Sequence, residues 1–267
     1  MNVDPFEQIK QAQKQGWVHF VPLEALTTPA AAKLVRHAGV QAGQRVLDVA
    51  CGTGVVAITA ARAGANVSAL DLTPELLARA REHGEVAGVK VDWHEGDVEK
   101  LPFQDAEFDV VLSQFGHIFA PRPQVAVSEM LRVLKTGGTI AFSTWPPEEM
   151  VGRSFAITSR YMPKPPVEVP PPPMWGDPDV VRERLGTQVT DLVFERDWML
   201  VPALSLQHFR ANVEQSVGPV RKLVEMLSQS DQGKLAALRK EMDALAAEYL
   251  VDNQVRQEYL MTRGRKS

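Results

Sequence analysis

The sequence predicts an α/β protein built on a doubly wound, mostly parallel sheet, and three observations carry that expectation. Residues 46–54 read VLDVACGTG, mostly apolar residues around one acid that run straight into a glycine-rich turn. Residues 55–63 (VVAITAARA) continue as an Ala-rich, apolar helix. Strand, glycine turn and helix in that order open a nucleotide-type site in a parallel sheet. Two further apolar runs follow, Val67-Ser68-Ala69-Leu70 ending on Asp71 and residues 90–94 leading into Gly96-Asp97-Val98. Helical patterns separate them, as winding on both faces of a sheet requires.

The elements can be justified in chain order. Residues 5–15 form a polar helix, followed by the aromatic segment Trp17-Val18-His19-Phe20. Residues 28–38 read as a helix with Pro29 in its first turn. The glycine-motif strand and its helix come next, then a second strand and a helix over 74–85 with Pro74 at its start. Residues 109–112 are a fourth, buried strand. Residues 122–134 form a helix whose Val125, Val127, Met130, Leu131 and Leu134 suit burial on the sheet. Gly137-Gly138 is read as ending that helix, ahead of a fifth strand over 139–143.

The second half is more idiosyncratic. Residues 163–173 (PKPPVEVPPPP) exclude a helix or an inner strand, because proline lacks the N–H and fixes φ. They read as a stiff linker or as a lid over a substrate pocket. The lid is preferred, since a linker would leave too little chain for an independent partner domain. A short helix over 177–185 and a strand over 189–201 follow, with helices over 204–227 and 232–249 and a last strand over 256–262. In the helix 232–249, Leu235, Leu238, Met242, Leu245 and Ala246 are spaced by three and four. That stripe suits a helix packed on the domain, a membrane-touching face or a dimer contact. The division expected is a pocket cap over 1–43, a ligand-binding core over 44–146, a lid and recognition insertion over 147–250, and a closing strand with a basic tail over 251–267, all in one compact domain.

The acids decide between ligands. Gly52, Gly54 and Ala57 also fit the dinucleotide pattern G-x-G-x-x-G/A, which keeps a nicotinamide oxidoreductase in view. Asp48, near the end of the first strand, would repel a pyrophosphate and attract a cationic ligand such as the ammonium and sulfonium of S-adenosylmethionine (SAM). Asp71 stands at the distance where a carboxylate meets a ribose diol, about 20 residues past the glycines. Each acid also has a plain structural reading. Asp48 would orient the turn by accepting backbone N–H groups. Asp71 would cap the next helix. Asp97 would be an ordinary turn residue after glycine.

Together, VLDVACGTG, ALDLTPELLARARE, EGDVEKLPFQDAEFDVVLSQFG and MLRVLKTGGTIAFSTW resemble the motif series of class I SAM-dependent methyltransferases. The likeness is nearest to the UbiE-like branch, which methylates quinones, lipids and other small molecules, and it covers residues 44–145. It implies a Rossmann-like sheet of seven strands closed by an antiparallel hairpin. It also implies that Gly52 and Gly54 cradle the methionine part of SAM, with Asp48, Ala50 and Thr53 beside them. Asp71 would bind both ribose hydroxyls, and Leu72 would pack on the adenine. Asp97 and Val98 would contact the adenine edge, and Ser113 and Gln114 would lie beside the transferred methyl.

The chemistry needs little beyond geometry, because a sulfonium is already a good methyl donor and alignment supplies much of the acceleration. A base is needed only where the acceptor must lose a proton. His117 and His19 are the candidates, against the plainer reading of a histidine as a structural hydrogen bonder. Trp17, Phe20 and Phe115 could wall an apolar pocket with His117. Phe119 is expected in the core.

Composition narrows the class. The net charge of −4 gives no sign of a nucleic-acid surface. The single Cys51 excludes an internal disulfide and suits a reducing, cytoplasmic setting. No cluster of His, Cys and acids points to a metal, no run suits a membrane span, and residues 1–16 lack the apolar stretch of a signal peptide. The reading is a methyltransferase moving a methyl from SAM to a small, apolar or aromatic acceptor, releasing S-adenosylhomocysteine. It would work as a monomer or homodimer, with peripheral membrane contact through the Arg263-Gly264-Arg265-Lys266 tail left open. A SAM-binding protein without transferase activity is the alternative from another class.

Overall fold

The computed structural model describes residues 4–267. Helix α1 (Pro5–Trp17) is capped by Asp4, whose carboxylate accepts the Phe6 N–H at 3.0 Å. A 3-10 turn, Val18–Leu23, carries the aromatic segment into α2 (Glu24–Ala38). Helix α2 thus starts ahead of the expected residue 28 and Pro29 lies inside it. The hydroxyls of Thr27 and Thr28 both donate to the Glu24 carbonyl at 2.9 Å and hold this early turn closed.

The alternating units follow in order: β1 (Arg45–Val49), α3 (Val55–Arg62), β2 (Asn66–Asp71), α4 (Pro74–Ala87), β3 (Val91–Glu95), β4 (Phe108–Gln114), α5 (Pro123–Val133) and β5 (Leu134–Thr144). Beyond them come α6 (Met150–Ser159), α7 (Pro178–Leu185), β6 (Val189–Pro202), α8 (Leu206–Ser216), α9 (Gly218–Ser230), α10 (Gln232–Ala247), β7 (Leu250–Val251) and β8 (Gln254–Lys266). The strands form one sheet in the order β3-β2-β1-β4-β5-β8-β6, with β7 paired onto β8. The first five strands are parallel, and β8 runs antiparallel between β5 and β6. The expected closing hairpin is therefore present, with the short β7 as an eighth strand. Strands β1 and β4 are neighbours although β2 and β3 intervene in sequence. Their carboxyl ends flank the topological switch point, where open α/β sheets bind ligands.

One apolar layer, with Leu47, Val111, Met130, Ile140 and Phe142, packs α5 and the second half of the chain on one face. The other, with Leu34, Val46, Val56, Leu77 and Leu112, packs α2, α3 and α4 on the opposite face. This double cover is why β1 and β4 read as near-continuous apolar runs.

Four local expectations are corrected. Gly137-Gly138 does not end a helix: α5 stops when Leu134 turns extended, and the glycines lie inside β5. The β4–β5 register shifts between Phe108 and Val110 there, and Gly137 takes φ +74°, the bulge conformation that glycine permits. Val125 is exposed, and the buried stripe of α5 runs through Ala126, Val127, Met130, Leu131 and Val133. The helix expected over 204–227 is two helices, broken at Val217 before Gly218-Pro219. The basic tail is no free tail but the end of β8. Arg263 Nη1 donates to the His37 carbonyl at 3.2 Å, and Lys266 Nζ to the Leu134 carbonyl at 2.8 Å.

The apolar stripe of α10 packs inward, with Leu235, Leu238, Leu245 and Ala246 buried. Among the described residues no helix is long and apolar enough to cross a membrane, and no group of His, Cys, Asp and Glu could hold a metal ion.

Candidate active site

The glycine turn leaves β1 through Ala50, a non-glycine residue at φ +54°. The turn after β4 does the same through Phe115 at φ +59°. Left-handed backbone at such residues costs on the order of 1–3 kcal/mol each and gathers where function demands it. The two turns touch. A side chain on Gly116 would place its Cβ 2.6 Å from the Ala50 carbonyl oxygen, so glycine is required for the ends of β1 and β4 to meet. Gly52 (φ +54°) faces open space, whereas a Cβ on Gly54 would lie 2.6 Å from Trp93 Cη2. Only Gly52 leaves its space free for a ligand. Gly54 is small to admit the Trp93 ring.

Asp71 ends β2 with both oxygens engaged, accepting the Gly52 N–H at 2.8 Å and the Thr73 N–H at 2.8 Å. The turn amide expected on Asp48 is therefore held by Asp71, and Asp71 does not cap α4, whose cap position is Thr73 with no side-chain cap bond. Asp48 accepts the Ala57 N–H at 2.9 Å through Oδ2 and fastens α3 to β1. Burial pushes both carboxyls above the usual range, Asp48 far more, and Asp71 pushes Asp48 further in the same direction. Neither has an ion-pair partner among the described residues. Among the described residues, the buried Asp48 Oδ1, Thr53 Oγ1 and Gln114 Oε1 find no hydrogen-bond partner. Buried polar atoms are costly to leave unpaired. Two buried carboxyls without a cationic partner among the described residues suit a cationic, hydroxyl-bearing ligand and are wrong for a pyrophosphate.

The other expected residues divide. Leu72 is half-buried beside Asp71, and Val98 is buried in the core. Asp97 follows β3, with Oδ1 accepting the Glu99 N–H at 2.8 Å and Oδ2 held by Lys10 of α1 at 2.6 Å. Gln114 ends β4 and donates through Nε2 to the Thr27 carbonyl at 3.0 Å.

Ser113 is fully buried. Its hydroxyl donates to the Val49 carbonyl at 2.8 Å and accepts the His117 N–H at 3.2 Å, so it braces the two strands. Phe115 is stacked on Trp145 at 4.0 Å within the core and does not wall a pocket. His117 is corrected as well. Its ring is wholly buried between Phe142 at 4.8 Å and Trp175 at 4.6 Å, and neither nitrogen has a partner among the described residues. Burial first, then the charge of Arg184, pushes its pKa down to about 3. A neutral imidazole sealed in apolar rings has no route to a substrate proton. His19 is half-buried, with Nδ1 3.2 Å from Arg221 Nη1.

Two further residues join the site that sequence reasoning passed over. Phe155 on α6 lies 6.0 Å from Phe119, whose ring is tilted on Trp17 at 4.6 Å, and Phe20 meets Trp17 at 6.2 Å. All four rings are half-buried, and Phe119 packs against the main core as expected while keeping part of its ring accessible. Lys10 is the second, an almost fully buried lysine on an otherwise polar helix. Its spacing in α1 is that of any solvated lysine, so no local signal marks it.

A family model described as a methyltransferase domain matches residues 46–138. An uncharacterized protein of Mycobacterium tuberculosis is 38% identical over 244 residues, 91% of this chain and 89% of its own length. The ubiquinone/menaquinone biosynthesis C-methyltransferase UbiE of Rubrivivax gelatinosus is 41% identical over 115 residues, 42% of this chain and 45% of that protein. Phosphoethanolamine N-methyltransferase 2 of Haemonchus contortus, solved with SAM, shares the fold with a TM-score of 0.54 at 18% identity, covering 89% of this chain and 52% of its own. The chain belongs to the class I SAM-dependent methyltransferases. It is an enzyme with SAM as cofactor, and the nicotinamide alternative falls.

Proposed function

We propose that this enzyme methylates a small acceptor carrying an apolar or aromatic ring, and that the acceptor lies against the Trp17–Phe20–Phe119–Phe155 cluster. The observation that carries the reading is that cluster itself: four half-buried rings on the N-terminal cap, the turn after β4 and α6. Half-buried aromatic side chains cost free energy to leave wet and favour stacking with another ring. The quinone chemistry named for the Rubrivivax relative points the same way.

In this reading the turn Gly52–Gly54, Asp48 and Asp71 hold the cofactor, with Leu72, Asp97 and Val98 at its adenine and Gln114 near the acceptor. SAM, when bound, supplies an electrophilic methyl on a sulfonium. The chain's own residues contribute binding, exclusion of water by the cap, and alignment of acceptor and methyl, which is where most of the acceleration arises. With His117 sealed in the core, the reading favours an acceptor already nucleophilic at neutral pH or one that loses its proton to solvent. The proline-rich segment 163–173 serves as a lid whose anchor is Trp175, buried against His117.

An acceptor screen reading S-adenosylhomocysteine release tests this. Turnover with phenolic or quinol rings and none with glycine-like amines is the expected result. Turnover confined to polar amines would overturn the acceptor class.

A further inference from the structure

Lysine is among the side chains least often buried, and a buried one is normally paired. Lys10 on α1 is 4% exposed. Its ammonium reaches Asp97 Oδ2 at 2.6 Å, Glu99 Oε2 at 2.7 Å and Glu7 Oε1 at 3.2 Å. Glu99 is held in turn by Arg122, whose N–H and Nε–H donate to its two oxygens at 2.7 Å each. Burial works against the lysine charge, but the hydrogen bonds to Asp97 and Glu99 outweigh it and push the pKa above the ordinary value. A cation fixed by two acids beyond the end of β3, besides Glu7 on its own helix, does more than dock a helix. The same helix is already docked by Lys14, paired with Glu95 at 2.6 Å, and by the close backbone approach of Gly16 to Gly218.

We infer that Lys10 is a positioning residue for the cofactor's adenine, acting from α1 by fixing the rotamer of Asp97. The inference rests on the reading of Asp97 as the acid that accepts the adenine's exocyclic amine. A carboxylate offers about four lone-pair positions. Here the Glu99 N–H takes one on Oδ1 and Lys10 takes one on Oδ2. Two directions remain, and with both oxygens anchored they are fixed before the cofactor arrives. Preorganisation of that kind lowers the ordering cost of binding. It would also make the N-terminal helix part of cofactor recognition, though 87 residues separate Lys10 from Asp97.

Calorimetry with two ligands tests it: S-adenosylhomocysteine, and its deaminated analogue S-inosylhomocysteine, which has a carbonyl in place of the exocyclic amine. Asp97→Ala is expected to abolish the preference for the amine. Lys10→Met is expected to weaken the adenosyl ligand about tenfold, the scale of one charge-assisted hydrogen bond, with the inosyl ligand nearly unchanged. Lys10→Arg should recover part of the loss. Lys14→Met, which loosens the same helix without touching Asp97, should leave the preference intact.

An equal loss for both ligands in Lys10→Met would reduce Lys10 to helix docking and overturn the inference. Tighter adenosyl binding would overturn it too, since Lys10 would then be a competitor for the oxygen. An unchanged preference in Asp97→Ala would remove the adenine reading of Asp97 itself. A preference lost in Asp97→Ala but kept in Lys10→Met would refute Lys10 alone.

Discussion

Replacing His117 with leucine is expected to make the protein more resistant to acid. The folded imidazole is wholly buried, lacks a partner on either nitrogen among the described residues, and has its pKa pushed down to about 3 by burial and then by Arg184. In the unfolded chain a histidine titrates near 6.5. Between those values the unfolded state binds a proton that the folded state refuses, so stability rises with pH there and is lost as pH falls. The loss begins near the unfolded value and continues towards about 3. Its slope approaches ~1.4 kcal/mol per pH unit, which amounts to about 2 kcal/mol by pH ~5. Leucine, similar in size and with no proton to bind, removes this one term and leaves the other groups in place.

Urea denaturation of both proteins at pH ~7.5, ~6 and ~5 reads it directly. The stability difference should move by about 2 kcal/mol in favour of His117→Leu across that range. Parallel pH profiles would show that the imidazole is not held neutral in the folded state, and the account of its burial would fail. Methyl transfer should also persist in the variant, because a sealed ring takes no substrate proton.

Two other substitutions probe the glycine turn. Gly54→Ala puts a Cβ 2.6 Å from Trp93 Cη2 at φ +82° and should destabilise by about 2–5 kcal/mol, from backbone strain and overpacking together. Adding Trp93→Leu should relieve only the overpacking share in urea denaturation, and full recovery would refute the backbone part. Asp48→Asn should raise the unliganded protein's stability at neutral pH, because it removes a buried carboxyl whose pKa is raised by burial. The gain should shrink as pH falls through that raised value, where the folded acid takes its proton, while affinity for the sulfonium cofactor drops. Equal SAM affinity in both proteins would remove Asp48 from recognition of the cation.

The core units were legible because each is written in one short window. An apolar run, an acid, a glycine turn and a capped helix fit within about 30 residues, and β1, α3, β2 and α4 lie where their patterns place them. Errors arose where distant packing overrides a local signal. Gly137-Gly138 looks like a helix stop, but the bulge that needs it belongs to the β4–β5 pairing. His117 looks like a loop histidine beside the site. What seals it is Trp175, presented by the far end of the proline segment. Arg263 and Lys266 look like a loose basic tail until β8 is seen paired between two strands. Phe155 and Lys10 carry no local mark, since one acquires its role from rings on two other elements and the other from acids across the sheet edge.

The most direct measurement is calorimetric titration of the wild-type protein and Asp71→Ala with S-adenosylhomocysteine, with NADH in parallel. Asp71 anchors the Gly52 amide, and in the proposed reading it is the acid that binds the ribose. The account predicts binding of S-adenosylhomocysteine alone, weakened in the variant by roughly 1.5–3 kcal/mol, the value of a hydrogen bond to a charged group. NADH binding in its place, or equal affinity in both proteins, would contradict it.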